Sequence, residues 1–239
     1  MQTGEQDRLA AAIDAALDAR TPLPALPDDL TLADGYDLQA RLLARREPAG
    51  PAGLKAGVTQ PGARRHFGLD HALLGRLYGA GRLAPGAVIE AGAGVALECE
   101  LAIVVDAAGR PQAFGPAIEI VRSAFAADER LTAAKLLAAN LAAWQFLSGD
   151  LLPWRESFTD TGVTLYHEGA CVLEAALADG LGGPVEALPW MLAEAHRRQM
   201  PLTAGMVLMT GCCGAAVPAQ AGHYRADYGP LGSIEFDVA

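Results

Sequence analysis

Glu98 and Glu100 stand two residues apart in "GVALECELAIVVD", where Val95, Leu97, Leu101, Ile103, Val104 and Val105 supply the composition of a buried β-strand. Side chains alternate across a strand, so the two carboxylates share one face with Ala96, Ala102 and Val104, their Cα atoms about 7 Å apart. Glu119 repeats the pattern in "GPAIEIV", with Ala117 and Val121 on its face, and the hairpin-like stretch "DAAGRPQAFG" joins the two strands. Charges withdrawn from water must be paired or coordinated, because desolvation penalises each ion heavily. Three carboxylates cannot satisfy one another. A hard divalent cation held through oxygen, Mg²⁺ or Mn²⁺, would, and it suits the set better than zinc because no His or Cys shares that face. The residues by themselves leave a second reading open, in which Glu98 and Glu100 lie on an edge strand and pair with Arg or Lys. Lys55 in "GLKAGVT" is equally two-sided. It is either a proton-transfer group beside the carboxylates or their counter-ion.

The elements that must position these groups differ along the chain. Leu9, Ile13 and Leu17 recur at helical spacing near the start, and Leu32, Tyr36, Leu38, Leu42 and Leu43 do so after the proline-broken connector "TPLPALPDD". Residues 1–52 therefore read as a helical N-terminal portion, and residues 53–239 as a β-rich catalytic domain continuous with it. From Gly53 onward short apolar runs alternate with glycines, as in a mostly antiparallel sheet system. Two helical segments are expected to interrupt it, around "DERLTAAKLLAANLAAWQFLSG" and "PVEALPWMLAEAHRRQ". No βαβ alternation is visible, so the fold class is α+β.

Composition excludes several functions. A net charge of −10, with basic doublets scattered at Arg45-Arg46, Arg64-Arg65 and Arg197-Arg198, argues against a nucleic-acid surface and against anionic membranes. No apolar run reaches the roughly 20 residues of a membrane span. The first helix is amphipathic rather than a signal peptide, so a soluble cytoplasmic protein is expected. Cys99, Cys171, Cys212 and Cys213 show neither metal spacing nor a disulfide framework and read as small reduced core residues. The five histidines never fall at a zinc-ligand spacing. "GAGRLAPG" and "GCCGAAV" lack the strand and helix context of a phosphate loop and read as turns.

The order "GLKAGVT", "FGLD", "LECE", "PAIEIV" and "GMVLMTGCCGAAVPAQAGHYRADYGPLGSIEF" resembles, over nearly the whole chain, the 2-keto-4-pentenoate hydratase and 4-oxalocrotonate decarboxylase group of the fumarylacetoacetate hydrolase superfamily. The resemblance implies a mixed β-roll or sandwich core, like the C-terminal domain of fumarylacetoacetate hydrolase, with flanking helices. It implies that Glu98, Glu100 and Glu119 ligate Mg²⁺ or Mn²⁺, that Lys55 is the acid/base group, and that Thr210 and Gly211 hold the substrate carboxylate. The implied activity is hydration of a 2-hydroxy-2,4-dienoate to a 4-hydroxy-2-oxo acid. Decarboxylation of a 2-oxo-3-enedioate and a non-catalytic partner subunit are the alternatives. A homo-oligomer, and association with a pathway enzyme, are also implied. The chain departs from the pattern at Leu73, where an acid is usual, and at Ala124, which stands where an arginine is usual while Arg122 precedes it. Asp70, three residues before Leu73, is the nearest acid able to take over the direction of a water molecule.

Overall fold

The computed structural model describes residues 1–84, 86–156 and 161–239. Helices α1 (Thr3–Ala19) and α2 (Leu32–Arg46) precede β1 (Gly53–Gly57), α3 (Pro61–Phe67), β2 (Leu73–Leu77), β3 (Val88–Ile89), β4 (Val95–Val105) and β5 (Pro111–Arg122). There follow α4 (Ala133–Ala138), β6 (Ala143–Ser148), β7 (Leu152–Pro153), β8 (Gly162–His167), β9 (Ala170–Ala176) and α5 (Pro184–Arg197). The chain ends with β10 (Met206–Met209), β11 (Val217–Pro218), β12 (Gly222–Asp227) and β13 (Ser233–Val238).

The larger sheet runs β2-β1-β10-β4-β5-β6, with β11 added to β4 and β7 to β5, and the smaller runs β3-β13-β12-β8-β9. The expected hairpin forms its long central pair. Asp106 Oδ1 accepts from the amides of Ala108 and Arg110, both at 2.9 Å, and sets the turn between β4 and β5. Leu97, Cys99, Leu101, Ile118 and Ile120 on one face of this pair join Leu165, Ala226 and Phe236 of the smaller sheet in the main core. The Tyr228 hydroxyl ties the layers further by donating to Ala117 O at 2.6 Å. On the opposite face Ala102 and Val104 meet Ala117, Phe146, Val207 and Met209 in a second cluster, which floors the interior where the glutamates point. The larger sheet curls until its ends approach, because the segment after β2 crosses to β6: Leu83 N donates to Phe146 O at 2.8 Å. The α+β class and the β-roll core are thus as expected.

Helix α2 begins at a capping box in which Thr31 Oγ1 and the Asp34 carboxylate each accept the other's backbone N–H at 3.1 Å. Ile13 of α1 and Leu38 and Leu42 of α2 pack with Ala138 and Ala139, so the N-terminal helices rest on the segment around α4. Two expectations need correction. The helix anticipated across residues 128–149 is short: α4 ends at Ala138, and Ala143–Ser148 is strand β6, bonded to β5. Cys171 is exposed on β9 rather than part of the core, whereas Cys99 and Cys213 are buried, and all four thiols are free. No helix among the described residues is long and apolar enough to cross a membrane.

Candidate metal centre and active site

Register brings the carboxylates together. Glu98 faces Glu119 directly across the antiparallel β4–β5 ladder, and Glu100, opposite Ala117, follows two residues along the same face. One carboxylate oxygen from each of the three lies within 4.8 Å of the others. Glu100 and Glu119 are fully buried, while Glu98 is half-buried at the wall of a cavity of about 390 Å³. Like charges directly opposite one another destabilise a sheet, so this arrangement calls for a cation or for protonation of the acids.

Lys55 supplies part of the positive charge. Its Nζ lies 2.5 Å from Glu119 Oε1 and donates to the Leu141 carbonyl at 3.1 Å, with the side chain 2% exposed. β1 lies three strands from β5 in the sheet order, which in a flat sheet is roughly 14 Å. The lysine reaches Glu119 because the sheet curls. Gly75 on β2, paired with Lys55, leaves the path open: a Cβ there would lie 2.9 Å from Lys55 Cγ.

One ammonium does not balance three carboxylates. Burial, then the charges of Glu119 and Glu98, hold Glu100 well above the ordinary carboxyl range, against the opposing pull of Lys55 and the Gly211 amide. Burial likewise pushes Glu119 up to about 7, although Lys55 draws it down. Burial lowers the Lys55 pKa, but Glu119, Glu98 and Glu100 outweigh it and leave the ammonium more basic than usual. Glu100 Oε1 and Glu119 Oε2 are buried without a hydrogen-bond partner. Two orphaned carboxylate oxygens in an all-oxygen set fit a hard divalent cation, and none of the cysteines or histidines joins the cluster.

The other residues singled out in the sequence are placed differently. The Gly211 amide donates to Glu100 Oε2 at 2.8 Å, so it braces a candidate ligand. Gly211 adopts φ +104°, and a Cβ there would press to 2.4 Å on Thr59 Cγ2. Thr210 is buried, its hydroxyl 3.4 Å from the Leu101 carbonyl, and does not line the cavity. Asp70 is exposed on the loop between α3 and β2, away from the cavity wall, and is not brought to the glutamates. Leu73 is a core residue. Arg122 turns away from the centre and sets its guanidinium over the Trp144 ring at 5.8 Å.

Sequence reasoning missed the remainder of the wall. Val58, Thr59, Gln60 and Ala63 follow β1, Val121 precedes Arg122, and Leu136, Leu141 and Ala142 come from the α4 region. Gln60 Nε2 donates to the Cys212 and Gly214 carbonyls at 3.3 and 3.1 Å, tying the β1–α3 segment to the loop after β10. Asn140, Leu141 and Ala142 all adopt left-handed backbone, with φ of 52°, 54° and 58°. Three non-glycine residues in a row in that region have no local sequence signal, because each is disfavoured there.

No family model matches the chain. Among sequence relatives, a 4-oxalocrotonate decarboxylase of a Pseudomonas species is 26% identical over 252 residues, covering 97% of this chain and 97% of the relative. A 2-keto-4-pentenoate hydratase of Burkholderia vietnamiensis is 27% identical over 198 residues, covering 76% of each. Among solved structures, 4-oxalocrotonate decarboxylase from Pseudomonas putida G7, complexed with magnesium and adipate, superposes with a TM-score of 0.89 at 23% identity, over 100% of this chain and 99% of that one. Fumarylpyruvate hydrolase from Pseudomonas aeruginosa, in complex with Mn²⁺ and pyruvate, gives a TM-score of 0.56 at 12% identity, over 78% of this chain and 88% of that one. The resemblance carried by the motifs is therefore borne out: in sequence the chain is similar to 4-oxalocrotonate decarboxylase and 2-keto-4-pentenoate hydratase, and it shares the fold of solved structures that include a 4-oxalocrotonate decarboxylase and a fumarylpyruvate hydrolase.

Proposed function

We propose that this protein is a divalent-metal-dependent hydratase that converts a 2-hydroxy-2,4-dienoate into a 4-hydroxy-2-oxo acid. The observation that carries this reading is the pair of buried, unpartnered oxygens of Glu100 and Glu119, facing Glu98 beside a buried lysine. Glu98, Glu100 and Glu119 are the ligands, and Mg²⁺ or Mn²⁺ the ion. When bound, the ion supplies Lewis-acid stabilisation of the negative charge that develops at the C2 oxygen of a chelating 2-oxo acid.

The chain's own groups supply the rest. Gly211 N–H holds the Glu100 carboxylate in its ligating orientation. Lys55 Nζ, an ammonium at neutral pH, is the proton-moving group: C5 of the dienol gains a proton as the C2 hydroxyl loses one. Water then adds across C3 and C4, its oxygen bonding to C4 and a proton going to C3. The walls from Val121, Leu136 and Leu141 limit bulk water around the conjugated chain. In this reading Gly211 acts through Glu100 rather than on substrate, Thr210 bonds the Leu101 carbonyl beside it, and Asp70 has no part.

Decarboxylation is the second reading, favoured by the relative that covers 97% of the chain. Loss of CO₂ needs an electron sink, which the same metal would supply, and no attacking water. A cation to recognise the second carboxylate of an enedioate is what the cavity lacks among its described lining residues: Arg122 stacks on Trp144 and lines other cavities, so hydration stands first. The test offers 2-hydroxypenta-2,4-dienoate and 2-oxohex-3-enedioate in parallel with Mg²⁺, following 4-hydroxy-2-oxopentanoate and CO₂. Metal-dependent hydration is expected. CO₂ release without hydration would reverse the order, and no turnover of either substrate with metal bound would favour a partner subunit without catalysis.

A further inference from the structure

Beyond Lys55 and Glu98, the cavity at the metal centre is walled mostly by apolar groups. Val58, Val121, Leu136 and Leu141 contribute branched side chains, and Ala215 and Ala216 stand exposed at the rim. Among the described residues lining it, Lys55 is the one cationic residue, and its ammonium is already engaged by Glu119 and the Leu141 carbonyl. Gln60 has its amide N–H groups directed to backbone carbonyls. A second carboxylate at the far end of a substrate would thus meet, among the described lining residues, no free cation and only the Thr59 hydroxyl and the Cys212 thiol as side-chain donors in place of its water. Such a group is strongly disfavoured in apolar surroundings. At about 390 Å³ the cavity also holds more than a five-carbon acid occupies. A water molecule's share of liquid volume is about 30 Å³, so there is room for roughly a dozen groups of that size.

We propose that this site, on the reading given above, selects 2-oxo or 2-hydroxy-dienoic acids with an uncharged tail, binds those with an alkyl or aryl tail more tightly than those ending in vinyl, and disfavours dicarboxylates. The half-buried Leu136 on α4 and the exposed rim residue Ala216 are the positions at which tail selection is set. A carboxylate tail becomes acceptable once either carries a positive charge. Arg64 and Arg65 on α3, beside Ala63, do not line the cavity and take no part.

Calorimetric titration of the full-length, Mg²⁺-loaded protein tests this without turnover. The probes are oxalate, which has no tail, then pyruvate, 2-oxohexanoate and 2-oxoadipate. Oxalate is expected to bind, 2-oxohexanoate to bind at least about tenfold more tightly than pyruvate, and 2-oxoadipate at least about tenfold more weakly than 2-oxohexanoate. Ala216→Arg and Leu136→Arg are each expected to narrow or reverse the last ratio while leaving oxalate affinity unchanged. The rim variant keeps the test available if the helix variant fails to fold. The double variant Arg64→Ala, Arg65→Ala is expected to leave the ratio as it is. Oxalate binding together with equal or tighter binding of 2-oxoadipate would overturn the tail selection alone. Failure of oxalate and of every 2-oxo acid to bind would overturn the metal-centre reading, and the tail selection with it.

Discussion

Glu100 and Glu119 separate a ligand from an ion-pair partner by their response to neutralisation. Glu100→Gln replaces a carboxyl that burial, Glu119 and Glu98 keep from ionising in the metal-free protein, so the metal-free variant should melt no lower than the parent protein. The same change removes an oxygen ligand that no neighbouring side chain replaces. Mg²⁺ affinity should fall by more than the roughly 10- to 100-fold typical of losing an outer-sphere partner, and the metal-induced rise in melting temperature should vanish. Calorimetry and thermal melts with and without Mg²⁺ check both signs, and a destabilised apo variant with unchanged affinity would make Glu100 a structural partner. Lys55→Met should retain metal binding and lose about 10²- to 10⁴-fold in turnover as an acid/base group is removed. Turnover within threefold of the parent would exclude Lys55 from proton transfer. The proximity of the three glutamates was legible in the sequence, because strand alternation puts Glu98 with Glu100 and a short hairpin brings Glu119 alongside, whereas the roles proposed for them and for Lys55 came from the family resemblance. What Gly211 does was not legible, since a backbone N–H is common to nearly every residue and only its direction makes it a brace.

Among the elements, the left-handed turn Asn140–Ala142 has the most specific consequence. Asn140 is buried, and its side chain clamps β2 at both polar atoms of one residue, accepting from Arg76 N at 2.9 Å and donating to Arg76 O at 2.8 Å. That clamp holds a backbone segment whose left-handed conformation costs about 1–2 kcal/mol per residue, and it presents the Leu141 carbonyl to Lys55. Asn140→Ala leaves two buried backbone groups unpaired and should cost about 2–4 kcal/mol in denaturant unfolding. It should also lower kcat more than it raises KM, with Mg²⁺ affinity near that of the parent. A loss of stability with kcat unchanged would show that the turn does not orient the lysine. The sequence reading of this region was wrong for a physical reason. Ala and Leu favour helix through residues 133–148, but pairing of Ala143–Ser148 with β5 fills the edge of the curled sheet and overrides local propensity.

For the whole molecule, the centre makes folding stability depend on pH and metal. Burial holds Glu119 near 7, above the ordinary carboxyl value of 4.5, so between those values the folded protein keeps a proton that the unfolded chain releases. The contribution is full below about 4.5 and is lost as pH rises through about 7. Metal-free protein should therefore show a falling melting temperature from about pH 5 to pH 7.5, and saturating Mg²⁺ should flatten that fall by favouring the ionised carboxylates. An apo profile that rises across the same interval would contradict the placement of uncompensated acids in the interior. The α+β class, the hairpin and the shared face of the glutamates follow from the sequence alone, because each depends on local periodicity and short connections. Only the tertiary structure decided that Lys55 reaches Glu119 and that apolar residues from four separate segments wall one cavity. Both depend on the curl of the large sheet, which is set by packing between residues distant along the chain and leaves no periodic trace in any one segment.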